Sequence, residues 1–159
     1  MTEHALPAPG EPAPGFCLRG TSEADLRLED FRGQWVVLYF YPKDNTPGCT
    51  TEAREFSALM PEFSALGCVI LGVSPDSMKT HHNFIAKQDL RIELLSDPDH
   101  AILEQFGAWR LKKNYGKEYM GVVRSTVLID PQGIVRHVWP KVKAAGHAAE
   151  VLNTLRQLR

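Results

Sequence analysis

The sequence is short of cysteine, of any excess of one charge, and of long apolar runs. Each shortage removes a class of protein. Three cysteines in 159 residues, an odd number, do not make a disulfide framework. A chain of this length buries roughly 68–70% of its unfolded surface and needs no such staple. Its thiols are therefore fillers, metal ligands or reactive groups. Lys and Arg number 18 and Asp and Glu 19, a formal net charge of −1. That balance argues against nucleic acid as the main partner and leaves no basic patch for an anionic membrane. The longest fully apolar run, residues 35–41, is seven residues long, whereas a spanning helix needs about 20. No positively charged segment opens the chain, and Pro7, Pro9, Pro12 and Pro14 interrupt the next stretch. No secretion signal is expected, and the expected location is the cytoplasm, where thiols stay reduced.

What is present fits one domain over residues 1–159, with an irregular proline-rich arm over 1–15. Residues 35–41 combine β-branched and aromatic side chains without polar alternation, the pattern of a strand buried on both faces. After a polar loop over 43–48, apolar residues recur at Ala53, Phe56, Leu59, Met60, Phe63 and Leu66, a helical spacing. Pro61 inside it predicts a kink or break. A second buried strand over 68–73 and a helix over 77–88 come next. Ser96-Asp97-Pro98-Asp99 is expected to open a short helix reaching Phe106. A strand over 125–129, a turn at Asp130-Pro131-Gln132-Gly133 and a returning strand over 134–139 form a hairpin. Residues 147–158 make a terminal amphipathic helix. Alternating strands and helices closed by a hairpin give an α/β fold, a central mixed sheet flanked by helices. A thioredoxin-like sandwich fits this order, and periodicity leaves a flavodoxin-like sheet open.

The chemistry concentrates where the first buried strand meets the first helix. Thr46 suits the N-cap and Pro47 the first helical position, which puts Cys49 in the first turn. Free N–H groups and the positive end of the helix dipole favour a thiolate there. A thiol ordinarily titrates near ~8.5, and bringing it to about 6 takes roughly 3.4 kcal/mol. A helix terminus supplies about 0.3–1 kcal/mol. A cation or direct donors must provide the rest. Thr46 is one candidate donor, and Arg124, just before the strand over 125–129, is the candidate cation.

The spacing Pro42-x-x-x-Thr46-x-x-Cys49 resembles the active-site signature of the peroxiredoxins, and residues 39–50 resemble their Q-type, bacterioferritin-comigratory subgroup. The resemblance extends through Ala13-Pro14-x-Phe16, Leu71-Gly-Val-Ser-Pro-Asp76, Leu95-Ser-Asp-Pro98 and Arg124-Ser-Thr126. It implies a thioredoxin-like fold and thiol-dependent reduction of hydrogen peroxide or organic hydroperoxides. In that reading Cys49 attacks the peroxide and becomes a sulfenic acid. Thr46, Arg124 and the N–H groups of Gly48 and Cys49 hold the departing oxygen. Pro42 shields the thiolate, Glu52 orients the arginine, and no metal, flavin or nucleotide cofactor is required.

Many Q-type members carry a second cysteine five residues after the first, where this chain has Arg54, or in the next helix, near Ile85. Arg54 is read as a solvated charge. Cys17 and Cys68 are read as structural, with a resolving role as the lesser alternative for each. The expected cycle uses one cysteine, reduced by an external thiol: thioredoxin, as the resemblance implies, or glutathione with glutaredoxin. A monomer is expected rather than a homodimer. The alternative from another class is a peroxide sensor or relay that passes oxidation to a partner through a mixed disulfide. The adjacent His81 and His82 are read as a solvated helix face rather than a metal site.

Overall fold

The apolar run becomes the centre of the molecule. A computed structural model describes residues 6–159, so residues 1–5 of the expected arm lie outside the described residues. In chain order the elements are β1 (Cys17–Gly20), β2 (Asp25–Arg27), a 3-10 turn (Leu28–Phe31), β3 (Trp35–Phe40), α1 (Pro47–Ala58), α2 (Met60–Ala65), β4 (Cys68–Ser74) and α3 (Met78–Gln88). They continue with β5 (Glu93–Ser96), α4 (Ala101–Gln105), β6 (Trp109–Asn114), β7 (Lys117–Val122), β8 (Ser125–Ile129), β9 (Val135–Trp139) and α5 (His147–Leu158).

Seven strands form one sheet in the order β2-β1-β5-β4-β3-β8-β9. Strands β3, β4 and β5 run parallel, while β8 pairs antiparallel with β3 and β9 with β8. This mixed order is the thioredoxin-like arrangement and removes the flavodoxin-like alternative. Every residue of β3 is buried, because helices cover both faces of the sheet. Its alternation sorts the core in two. Trp35, Val37 and Tyr39 point toward α1 and α5 and pack with Phe56, Phe63, Phe84 and Val151. Val36, Leu38 and Phe40 point the other way, among Leu71, Val73, Leu103, Phe106 and Val127. Each such burial contributes about 1.5–3 kcal/mol. Gly72 stands opposite Tyr39 in register, and a Cβ there would lie 2.7 Å from the tyrosine ring. The ring lies flat on the sheet because that position has no side chain.

Pro61 acts as expected: α1 ends before Leu59 and α2 starts at Met60. Three expectations change. The helix after Ser96 begins only at Ala101, because Ser96 closes β5 and Pro98 to His100 form a turn that ends in left-handed backbone at His100. The arm over 1–15 is not wholly irregular: Gly10 and Ala13 donate to Val135 O and Gly133 O, which ties it to the β8–β9 hairpin. The sequence pattern does not show strands β1, β2 and β5, nor a separate two-stranded sheet of β6 and β7. β1, β2 and β5 are only three or four residues long, and in β6 charged residues, Arg-Leu-Lys-Lys, hide a period of two.

Candidate active site

The loop from β3 to α1 is held in shape at both ends. At its start, the Tyr41 hydroxyl donates to Asp44 Oδ1 at 2.6 Å, and Asp44 N–H donates to Asp76 Oδ2 at 2.9 Å. At Asn45 the backbone turns left-handed (φ 63°), which asparagine tolerates. Pro47 is the first residue of α1 and Thr46 its N-cap by backbone, with φ −93° and ψ 156°. The Thr46 side chain, however, does not cap the helix. Its hydroxyl donates to Lys43 O at 2.7 Å. The proton is committed there, which leaves Thr46 Oγ1 an acceptor rather than the donor expected from sequence. The first helical bond is from Thr50 N–H to Thr46 O. The N–H groups of Gly48 and Cys49 therefore have no helical partner.

Cys49 is buried, 1% exposed, under this first turn. Arg124 reaches it from the neighbouring strand. Phe40 pairs with Ser125, so Arg124 emerges beside Tyr41 at the mouth of the sheet. Its Nη2 donates to Cys49 Sγ at 3.2 Å, and its Nη1 to Glu52 Oε1 at 2.6 Å. A Cβ on Gly48 would lie 3.2 Å from Nη2, so the guanidinium lies against bare backbone. Burial opposes the Arg124 charge, yet Glu52 and Cys49 hold it protonated above its ordinary value. Burial pushes the Glu52 carboxyl up to about 7, against the pull of Arg124. Its second oxygen is buried without a partner among the described residues. One cation thus bridges a thiol and a carboxylate in a site that excludes bulk water, where charge-assisted bonds are strongest.

Around this centre lie groups that spacing alone did not reveal. His81 is fully buried on α3, not on a solvated face. Its Nδ1 lies 2.6 Å from Asp44 Oδ2 and its Nε2 2.9 Å from Leu95 O. The carbonyl can only accept, so Nε2 carries a proton, and a second proton is shared between Nδ1 and Asp44. Asp44, Asp76 and His81 are close enough together to suggest a metal site. Their donor atoms are instead engaged with one another, with Tyr41 and with Ser74. The histidine was legible in one respect: it shares its helix face with Phe84 and Ile85. His147 Nε2 lies 2.8 Å from Thr126 Oγ1, and burial, helped by Arg124, pushes its imidazole down to about 4. Lys112 of β6 donates to Val122 O at 2.8 Å; burial and the nearby Arg124 lower its pKa while Cys49 raises it.

Residues 9–138 match the AhpC/TSA family. Peroxiredoxin Bcp of Bacillus subtilis is 49% identical over 149 residues, 94% of this chain and 95% of the relative. Peroxiredoxin Bcp of Xanthomonas campestris is 50% identical over 139 residues, 87% of this chain and 86% of the relative. The chain belongs to the AhpC/TSA family, as a peroxiredoxin of the Bcp/PrxQ type. Solved structures agree. That of a Xylella fastidiosa PrxQ mutant superposes with a TM-score of 0.91 at 39% identity, covering 99% of both chains. The X. campestris bacterioferritin comigratory protein, solved to study its alkyl peroxide reduction activity, gives 0.86 at 47% identity over 90% of this chain and 91% of its own. As a peroxiredoxin the protein is a thiol-dependent peroxidase.

Within this peroxiredoxin, Cys49, Gly48, Glu52 and Arg124 meet at one point, and Thr46 stands at the same helix end. Pro42 opens the loop, half-buried. The other two thiols stand apart. Cys68 pairs with Trp35 at the far end of β3, about 17 Å along the strand from Phe40 at ~3.3 Å per residue. Burial pushes its thiol up to about 12. Cys17 is exposed on β1, three strands from β3, or about 14 Å at ~4.8 Å per strand. A disulfide needs Cα atoms within about 7 Å. Arg54 is exposed, in keeping with a solvated charge.

Proposed function

We propose that Cys49 is the peroxidatic residue of a one-cysteine cycle, reducing hydrogen peroxide and organic hydroperoxides. The observation that carries this reading is the guanidinium of Arg124, 3.2 Å from Cys49 Sγ and anchored by Glu52. A thiolate at Cys49 attacks one oxygen of the peroxide in line with the O–O bond. The sulfur is oxidised to a sulfenic acid, and the second oxygen leaves as water or an alcohol. Thr46 Oγ1 accepts from the hydroperoxide O–H and orients it. Arg124 and the free N–H groups of Gly48 and Cys49 donate to the oxygen on which charge develops. Pro42 screens the thiolate from water. Residue types and distances support these roles, and the alkyl peroxide reduction of the X. campestris relative supports the substrate class.

The placement of Cys68 at the opposite end of β3 and of Cys17 three strands away favours reduction by an external thiol, thioredoxin or glutathione with glutaredoxin, in a cytoplasmic monomer of one domain. Intact mass after one equivalent of peroxide, with a sulfenic-acid trap, tests this. The expected result is one trapped adduct on Cys49 and no loss of hydrogen. A loss of two hydrogens mapped to Cys49 with Cys17 or Cys68 would replace the one-cysteine cycle by an internal disulfide. Catalytic turnover with an abundant reductant, rather than a stoichiometric adduct with one partner, separates the peroxidase from a relay.

A further inference from the structure

Near Arg124 stands a second cation, Lys112, to which the peroxide chemistry at Cys49 gives no task. Its stem leaves β6 and crosses β7. A Cβ on Gly121 would lie 3.2 Å from Lys112 Cδ, so the stem runs over bare backbone. The ammonium ends on Val122 O at 2.8 Å, two residues before Arg124. That segment is itself fixed: Val123 N–H donates to Ala108 O, and Val142 N–H donates to Arg124 O. The Val122 carbonyl is neutral, and no carboxylate pairs with Lys112 among the described residues. Glu118 is held by Lys113 on the other side of the hairpin. A half-buried cation against a neutral carbonyl is a poor source of stability, because burying a charge costs free energy unless an opposite charge offsets it. Burial and Arg124 both work against the Lys112 charge, and Cys49 works for it.

The charges around the thiol do not balance while it is protonated. Arg124 and Lys112 are two cations, and Glu52 is the carboxylate at Arg124. A thiolate at Cys49 brings the sum to zero. Arg124 binds the sulfur directly but shares its charge with Glu52, and a helix end adds little. We infer that Lys112 is a positioning residue of the peroxidase reaction, whose ammonium, clamped on Val122 O, supplies the second positive charge that holds Cys49 as a thiolate. This rests on Cys49 being the peroxidatic residue. Lys112 acts through the ionisation of Cys49, not by contact with peroxide. Other titratable groups near the pair do not mimic this effect. Tyr39 on β3 is kept neutral by burial, well above its ordinary range, and His147 on α5 is neutral above about 4. Glu52 on α1 titrates at about 7 and is common to wild type and variants. Tyr119 stands across the ladder from Lys112, and Arg110 lies two residues before it on β6.

The test uses the full chain with Lys112→Met and Lys112→Gln, which remove the charge, and Lys112→Arg, which keeps it. Ultraviolet thiolate absorbance, less that of Cys49→Ser in the same background, follows the ionisation of Cys49 across pH. Stopped-flow oxidation by hydrogen peroxide follows its reactivity. In both neutral variants the midpoint of Cys49 rises by about one pH unit, so oxidation slows about tenfold on the acid side. On the alkaline plateau the rate returns to within about twofold of wild type. Lys112→Arg restores the wild-type midpoint. An unmoved midpoint in a folded neutral variant overturns the inference, whether or not the plateau falls, because Lys112 then only shapes the hairpin. So does a midpoint in Lys112→Arg as high as in Lys112→Met. Loss of native circular dichroism in both neutral variants overturns it too, since Lys112 is then a residue of the fold. Failure of wild-type Cys49 to form a sulfenic acid overturns the reading of Cys49 instead, and is seen before any variant is compared.

Discussion

Arg124 commits one terminal nitrogen to Cys49 and the other to Glu52, so truncating it removes a donor and strands a buried carboxylate. Arg124→Ala is expected to lower kcat/KM for peroxide by about 10²–10³, the usual loss for one oriented donor at a developing charge. Stopped-flow oxidation of Cys49 reads it directly, and unchanged kinetics would remove Arg124 from the site. Cys49→Ser is expected to abolish turnover while circular dichroism and melting stay native, since the change is small. Gly48→Ala should slow oxidation as well, because its Cβ would press on Nη2 at 3.2 Å. Cys49, Thr46 and Arg124 were expected from local chemistry, and Gly48 and Glu52 from the family resemblance; the structure brings Cys49, Gly48, Glu52 and Arg124 together. Which way the Thr46 hydroxyl points was not legible in the sequence. Its choice between a helix N–H and Lys43 O depends on the loop's path, which Asn45 and Asp44 set.

Helix α3 is joined to the active-site loop by one buried pair, Asp44 with His81. Removing one partner of such a pair commonly costs about 3–5 kcal/mol, because the other is left buried and unpaired. His81→Leu is expected to lower the urea midpoint accordingly and to slow oxidation of Cys49 by loosening the loop that ends at Thr46. The double change with Asp44→Leu should recover part of the stability but not the rate. A larger loss in the double variant would contradict this role for the pair. At this scale the sequence was readable where a face is apolar, as in β3, α1 and α5. It was opaque where tertiary contacts override pattern: β5 is four residues long, and β6 carries charges whose stems pack inward. The Asp44–His81 pair spans 37 residues, a separation no local motif encodes.

Two buried groups bend the pH dependence of the whole fold in opposite directions. Glu52 titrates at about 7 in the folded protein against an ordinary 4.5. The folded state therefore binds the extra proton, and this group lowers stability as pH rises through that window. His147 titrates at about 4 against an ordinary 6.5. Here the unfolded state binds the extra proton, and stability falls as pH drops through that window. Between pH 4.5 and 6.5 the two slopes oppose each other. Glu52→Gln should therefore unmask stability that rises with pH, and His147→Asn stability that falls, both visible as urea midpoints across that range. Parallel slopes in the two variants would refute the assignment. The placement of the three thiols also governs how the protein is labelled. A bulky maleimide meets Cys17 first, since Cys49 and Cys68 are 1% and 2% exposed. A molecule as small as hydrogen peroxide should oxidise Cys49 first. Peptide mapping after brief treatment with each reagent should return opposite orders, so an alkylation survey taken alone would point to Cys17 rather than to Cys49.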